Sequence, residues 1–380
     1  MENIEIIEDY KIMKNAESTK KPKNMNSRAE KAAFILLTLA VILFGIWYLT
    51  GLLSLKHSEK MYRYFMESDQ SYDVLFFGSS HMKNALSPND IYHEYGIRGY
   101  NLSMQGNYLD SNYYLIKECL HILDKTGREY PKIIVMDTFD AVQEPGNLHN
   151  AWDSFPLDKI KLEMIRELTD KDHRWGFYFP FSLYHNRWND IQITDYRIPY
   201  NDILGIEPGY EIYDFETPWE IPEAGSKKEV PQELLDKFDR IKDLCDEKGI
   251  KLILCYIPDR IDSSVLEAES IGEYAAGRGI EYINFAYEDT GLDYDLDFFD
   301  PDGHLNIRGA RKFSFVMGEK LKEYGLPDRR GDENSEVWDD YYRIYLEDAK
   351  KRIEEAADPD PYIAEAYKGE ISLTDEPEAE

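Results

Sequence analysis

The sequence predicts an α/β protein: a three-layer arrangement of a parallel sheet with helices on both faces, interrupted by a long insertion and preceded by one N-terminal transmembrane helix. Three observations predict it. Residues 32–55 form an apolar run with no charged side chain. Beyond it, five short apolar runs alternate with amphipathic helical patterns, which is the signature of strands buried on both faces. Between the third and fourth of these runs lie about 90 residues, roughly 141–230, far more than a connection within such a sheet needs. With 380 residues, 43% of them hydrophobic, the chain can bury a core without disulfide or metal staples.

The elements follow in order. Residues 1–31 form a polar N-terminal tail. The run 32–55 (AAFILLTLAVILFGIWYLTGLLSL) would rise roughly 36 Å as a helix, against a hydrocarbon thickness of about 30 Å. The Ser-Leu-Lys-His that follows offers no small-residue cleavage site, so the segment reads as an uncleaved signal anchor. Lys20, Lys21, Lys23, Arg28 and Lys31 precede it, and Lys56, Lys60 and Arg63 follow it. This bias puts the tail in the cytoplasm and the rest of the chain outside the cell membrane. Asp73–Ser80 (DVLFFGSS) predicts a buried strand and a turn, Pro88–Tyr95 a short helix, and Tyr100–Met104 a second strand. Tyr108–Asp124 predicts a helix, Lys132–Asp137 a third strand and Pro231–Lys248 a helix. Lys251–Ile257 gives the fourth strand, Ser263–Gly277 a helix, Glu281–Phe285 the fifth strand and Ile307–Tyr324 the last helix of an α/β domain spanning 56–330. The 141–230 segment, rich in aromatic residues (HRWGFYFPFSLYHNRWNDI), is expected to pack over one end of the sheet. Residues 331–380 carry 17 acidic and 5 basic residues. They are expected to form a helix with Trp338, Tyr341, Tyr342 and Tyr345 on one face, followed by a solvated tail.

A formal net charge of −30 excludes nucleic acid held through its phosphates, which requires a basic face. Three cysteines, Cys119, Cys245 and Cys255, cannot make a disulfide framework, and no C-x-x-C pair suggests a structural zinc. Asp293, Asp295 and Asp297 have the opening spacing of a calcium loop, but Phe298 and His304 stand where Gly and Glu are needed, so that reading fails.

Three short motifs carry possible chemistry. Gly78-Ser79-Ser80-His81 follows a strand and opens a helix, where a tight turn exposes a hydroxyl at the carboxyl end of a sheet. Serine at a helix start serves equally well as an N-cap. Asp300-Pro-Asp-Gly-His304 places a histidine beside two carboxylates just before a helix. That arrangement suits a general base whose tautomer is fixed by an acid, although Pro-Asp-Gly is also good turn chemistry by itself. Asn101-Leu-Ser-Met-Gln-Gly106 follows the second strand and could aim backbone N–H groups at an oxyanion.

Taken together, Gly78-Ser79-Ser80, Asn101 to Gly106 and His304-Leu-Asn-Ile-Arg-Gly309 resemble the three blocks of the SGNH/GDSL hydrolase superfamily over about residues 73–325. The likeness is greatest to its membrane-anchored branch, which includes the teichoic-acid D-alanyl transfer protein and accessory O-acetylation proteins of exopolysaccharides. The resemblance implies a flavodoxin-like three-layer fold and a Ser80–His304–Asp300 triad. It also implies an oxyanion site of the Ser80 and Gly106 N–H groups with Asn107, and no metal or nucleotide cofactor. Two departures stand out. The acid usually lies three residues before the histidine, but Pro301 is there, leaving Asp300 and, as the alternative, Asp302. The third strand ends in Met136-Asp137-Thr138-Phe139, without the Asn that supplies an oxyanion donor. His185 and Arg187 in the aromatic insertion are candidates for substrate binding.

The function expected on this basis is acyl transfer or ester hydrolysis at a cell-surface glycan or polymer through an acyl-serine intermediate, with a multi-spanning membrane acyltransferase as a possible partner. The alternatives are deacylation of the same substrate class and a non-catalytic scaffold in the cell envelope.

Overall fold

The computed structural model describes residues 28–54, 65–66, 68–139, 148–153, 155, 157–191, 193–196, 203–356 and 360–371. The chain divides between residues 52 and 53 into two units. The first holds all but the last residue of helix α1 (Arg28–Leu53), which is long and apolar enough to cross a membrane. Lys20, Lys21, Lys23, Lys56, Lys60 and Arg63, on which the expected orientation rests, lie outside the described residues.

In the second unit five parallel strands pair in the order β2-β1-β3-β4-β5. They are β1 (Val74–Phe77), β2 (Gly99–Asn101), β3 (Ile133–Asp137), β4 (Lys251–Tyr256) and β5 (Glu281–Asn284). The helices that connect and cover them are α2 (Ser80–Ala85), α3 (Pro88–Tyr95), α4 (Leu109–Thr126), α5 (Lys159–Leu168), α6 (Gln232–Glu247), α7 (Asp262–Arg278) and α8 (Ile307–Glu323). The register sets Phe76 beside Val135 and Val135 beside Ile253. Side chains alternate between faces along each strand, so the sheet separates two cores. Leu75, Phe77, Ile134, Met136, Leu252 and Leu254 pack with α4 and α6. Val74, Phe76, Ile133, Val135, Ile253 and Cys255 pack with α3 and α8. All three cysteines are buried and unpaired.

Strand boundaries are tighter than the sequence pattern suggests. The second strand runs Gly99–Asn101 rather than 100–104, because Ser103 N–H turns back onto the Asn101 side chain and ends the extended backbone. The insertion does two jobs instead of one. Its first part, including α5, lies against α4 and extends one helical layer, where Trp152 donates to Ser111. Its last part, from residue 203, runs past the carboxyl ends of the strands. There Leu204 O accepts from Asn101 N–H at 3.0 Å and Gly209 O accepts from Ile307 N–H at 2.8 Å. Gly205, at φ +93°, is needed because a Cβ would fall 1.9 Å from Asn101 O.

The acidic C-terminal segment is part of the fold rather than a solvated tail through residue 371. Helix α9 (Ser335–Glu355) lays Trp338, Tyr342, Tyr345, Ala349 and Ile353 inward. Trp338 enters the main core against Tyr72 and Tyr92, at ring distances of 5.9 and 5.3 Å. The Tyr345 hydroxyl donates to Asp90 at 2.8 Å, and Arg311 is paired with Asp90 and Glu370. The acids of α9 occupy its outer face, and the aromatic stripe expected at helical spacing is its buried one.

Candidate active site

The site forms where α2 leaves β1 and where the loop before α8 returns to the same end of the sheet. Gly78 makes the turn out of β1. A Cβ there would fall 2.8 Å from Met82 Cβ and 3.1 Å from Asp137 Cβ, so no larger residue fits without displacement. Both readings of the serine pair are realised, in different residues. Ser79 is the N-cap and accepts from His81 N–H. Ser80, the first residue of α2, is left with its hydroxyl turned to the other loop.

That loop is a tight hairpin. Phe299 N–H donates to His304 O at 3.0 Å, and Gly303 N–H donates to Asp300 O at 3.3 Å. Gly303 has φ +80°, and a Cβ on it would lie 1.7 Å from Asp259 O, so the turn requires glycine. Asn306 then caps α8, accepting from Arg308 and Gly309 N–H at 3.0 and 3.1 Å.

The two loops bring three side chains into a chain of hydrogen bonds. Ser80 Oγ lies 2.7 Å from His304 Nε2. His304 Nδ1 lies 2.7 Å from Asp300 Oδ2. The other carboxylate oxygen, Asp300 Oδ1, accepts from the backbone N–H groups of Asp302 and His304, each at 3.1 Å. Burial alone would raise the Asp300 pKa, but the hydrogen bond and charge of His304, together with the two backbone donors, outweigh it and hold the carboxyl below its ordinary value. An ionised Asp300 accepts the Nδ1 proton, which leaves Nε2 as the lone-pair nitrogen facing Ser80. Between the two acids weighed in the sequence, Asp300 meets the ring; Asp302 is exposed, and its carbonyl oxygen meets His81 Nε2 at 3.1 Å. Ligand atoms of Asp300, Asp302 and His304 also lie within 4.8 Å of one another. A cation there would compete with the hydrogen bonds that Asp300 and His304 already make.

The Asn101–Gly106 loop lies beside this chain. Asn101 is a brace: its Nδ2 donates to Met82 O and Leu86 O at 2.9 and 3.0 Å and ties β2 to α2. Met104 N–H donates to Gly78 O at 3.2 Å, joining the loop to the Gly78–Ser80 turn. Gly106 takes φ +70°. Among the described residues neither Ser80 N–H nor Gly106 N–H has an acceptor in the chain. Asn107 is engaged otherwise: its N–H donates to Met104 O at 3.1 Å and its Nδ2 to Asn112 Oδ1 at 2.7 Å. It braces the loop.

His185 and Arg187 have partners elsewhere. His185 Nδ1 meets Ser182 O at 3.0 Å. Arg187 donates to Leu53 O at 2.6 Å and Ser54 O at 2.8 Å, and pairs with Asp195. None of these partners belongs to the Ser80–His304–Asp300 chain, and an arginine so committed has little capacity left for a substrate.

The sequence did not single out two buried acids beneath the site. Asp137 ends β3 and Asp259 follows β4. Burial pushes each carboxyl up to about 7, and for Asp137 the nearby Asp259 adds to the rise. Asp259 accepts from the Tyr256 hydroxyl at 2.6 Å and from Ile261 N–H at 2.7 Å. The only advance signal was a single acid at the end of each apolar strand.

Neither a family model nor a curated protein matches the chain. Solved structures do resemble it. One is a candidate acylhydrolase from Bacteroides fragilis, 12% identical, covering 70% of this chain and 97% of that one with a TM-score of 0.34. Another is a GDSL-like lipase from Bacteroides thetaiotaomicron, 12% identical, covering 70% and 98% with a TM-score of 0.35. A third is a candidate platelet activating factor from Streptococcus pneumonia, 13% identical, covering 76% and 98% with a TM-score of 0.34. Likeness at this level assigns no chemistry; the geometry of Ser80, His304 and Asp300 stands independently of it.

Proposed function

We propose that this chain is a serine esterase or acyltransferase, and that Ser80, His304 and Asp300 act as nucleophile, general base and orienting acid. The observation that carries the reading is the continuous hydrogen-bond chain from Ser80 Oγ through both His304 nitrogens to Asp300. Residues 224 positions apart in the chain meet in the order that nucleophilic acyl chemistry needs.

In this mechanism Ser80 Oγ attacks an acyl carbonyl while its proton passes to His304 Nε2. Asp300 stabilises the imidazolium so formed. The Ser80 and Gly106 N–H groups, which have no other acceptor among the described residues, are the proposed donors to the oxyanion. Collapse breaks the ester bond, and His304 returns the proton to the leaving alcohol. The acyl-Ser80 ester is then attacked by an acceptor hydroxyl or by water, with His304 again taking and returning the proton. No side-chain amide ends β3, and losing one such donor costs about 10²–10³ in rate. That loss is compatible with weak hydrolysis, with a specialised transferase and with a chain that does not catalyse.

The apolar helix at Arg28–Leu53 supports a membrane-anchored enzyme, and the excess of Lys and Arg before it is the ground for proposing that the α/β domain lies outside the cell membrane. We propose an acylated cell-surface glycan or polymer as its substrate and a multi-spanning membrane acyltransferase as its partner. The test uses the full-length protein in detergent with p-nitrophenyl acetate, a fluorophosphonate label and an acetylated glycan. Labelling at Ser80 and its loss in Ser80→Ala are expected. Release of free acid from the glycan means a deacylase; modification of an acceptor only in the presence of a donor means a transferase. A wild-type protein that neither labels nor turns over ester would overturn the enzyme reading and favour a scaffold.

A further inference from the structure

The residue after the nucleophile, His81, belongs to none of the roles above, yet it is packed directly onto them. Its ring is buried, at 3% exposure. It packs against Phe139, tilted with ring centroids 3.6 Å apart, and against His304, stacked at 4.4 Å with the planes 26° apart. Its Nε2 lies 3.1 Å from the carbonyl oxygen of Asp302, in the hairpin that carries Asp300 and His304. A carbonyl only accepts, so Nε2 holds the proton. Nδ1 is buried with no partner among the described residues, which suits a bare nitrogen and not a second N–H. Burial first, and the nearby His304 second, push the His81 pKa well below its ordinary value. The ring therefore stays neutral when His304 becomes positive.

We propose that His81 is a positioning residue for His304: its ring face and its single N–H lock the base and its hairpin against Ser80. The reasoning is geometric. A histidine in a loop rotates about its last side-chain bond, and rotation breaks both the Ser80 and the Asp300 hydrogen bonds. A ring stacked on one face blocks that rotation and keeps water from that side. The bond to Asp302 O holds the hairpin itself. Ser79 N-caps the same helix through His81 N–H, so nucleophile, cap and support move as one body with α2. The inference rests on the serine-enzyme reading and adds to it a residue that touches neither substrate nor reacting atoms.

Two variants separate the two supports. His81→Phe keeps a stacking ring and removes the N–H. His81→Gln keeps a donor at the position of Nε2 and removes the ring. Both would be assayed as full-length protein for ester turnover and for the rate of Ser80 phosphonylation, with melting curves to count folded molecules. Each is expected to lose about 10- to 100-fold in kcat per folded molecule, as misplacement by a fraction of an ångström costs. KM is expected to change less than twofold, with phosphonylation slowing in parallel. Turnover within twofold of wild type in both variants, or loss through KM alone, overturns the proposal while leaving the enzyme reading intact. Wild-type protein without turnover or labelling overturns both. Should both variants unfold, the native protein decides. In selectively ¹⁵N-histidine-labelled wild type, one buried ring is expected to remain neutral and Nε2-protonated from pH 5 to 8. If every ring titrates in that range, the proposal fails.

Discussion

The sharpest test of the site exchanges a single atom. Asp300 Oδ1 accepts two backbone N–H groups and Oδ2 accepts from His304 Nδ1. In Asp300→Asn the amide oxygen can keep the two backbone bonds, so the hairpin should stand. The NH₂ then faces His304 Nδ1 and can only donate. The ring must adopt the opposite tautomer, with its proton on Nε2 pointing at Ser80, and a protonated Nε2 cannot take the serine proton. The variant also removes the negative charge that stabilises the imidazolium. Wrong-tautomer substitutions of this kind cost about 10⁴ in kcat, or about 5.5 kcal/mol of transition-state stabilisation. Asp302 contributes its carbonyl and its N–H to the hairpin, so Asp302→Asn should stay within about threefold of wild type. The assay is ester turnover by full-length protein, normalised to folded molecules by melting curves. The same variant reports on stability. The Asp300 pKa is held down, so its stabilising contribution is present above the unfolded carboxyl value of about 3.9 and is lost as pH falls through the lower folded value. Asp300→Asn should flatten the acid limb of the stability curve, with its deficit against wild type present near neutrality and vanishing at low pH. Activity above about a tenth of wild type in Asp300→Asn, or a larger loss in Asp302→Asn, refutes the assigned role.

Three further outcomes are expected. Asp137 is buried with its carboxyl raised to about 7, so the folded state binds its proton more tightly than the unfolded one, and stability should fall as pH rises from about 4 to about 7. Asp137→Asn should remove much of that slope, up to about 4 kcal/mol across the window, and a pH–melting profile unchanged from wild type would contradict it. Trp338→Ala should destabilise the protein by about 3–5 kcal/mol, as large core truncations do; a melting temperature within a degree or two would mean that α9 is not integral to the fold. A reporter fused after residue 60 should be active only outside the cytoplasm, and cytoplasmic activity would reverse the proposed orientation.

The sheet was legible because its strands carry their signal locally. Val74–Phe77, Ile133–Asp137 and Lys251–Tyr256 are apolar on both faces, and only strands covered by helices on both sides can bury such runs. The C-terminal helix and its aromatic face were legible too, but its docking into the core was not. Its acids dominate composition, whereas its fate depends on five positions spaced along one face, Trp338 to Ile353, whose partners Tyr72, Tyr92 and Asp90 lie more than two hundred residues away. The insertion likewise gave no hint that it would split, since its path is fixed by backbone bonds at Asn101 and Ile307, and backbone groups leave no mark in a sequence.

The same distinction runs through the site. Ser80, His304 and Asp300 could be nominated because turn chemistry and short spacings are local, and Pro301 left only two acids to choose between. The choice fell to geometry. In the observed turn Asp300 folds back over its own hairpin, with Gly303 allowing the close approach to Asp259 O, so an acid four residues before the histidine reaches the ring. What the spacing could not convey was the cost of holding His304 still. His81 next to Ser80 drew no role from the sequence, because successive side chains diverge. Around a helix they diverge as well, by about 100°, yet Ser80 and His81 both reach a single hairpin from the start of α2, one meeting Nε2 of His304 and the other covering its face. A nucleophile and the support of its base can therefore be adjacent in sequence, and a polar residue following a strand-end serine is better weighed against the loop it will face than against its neighbour.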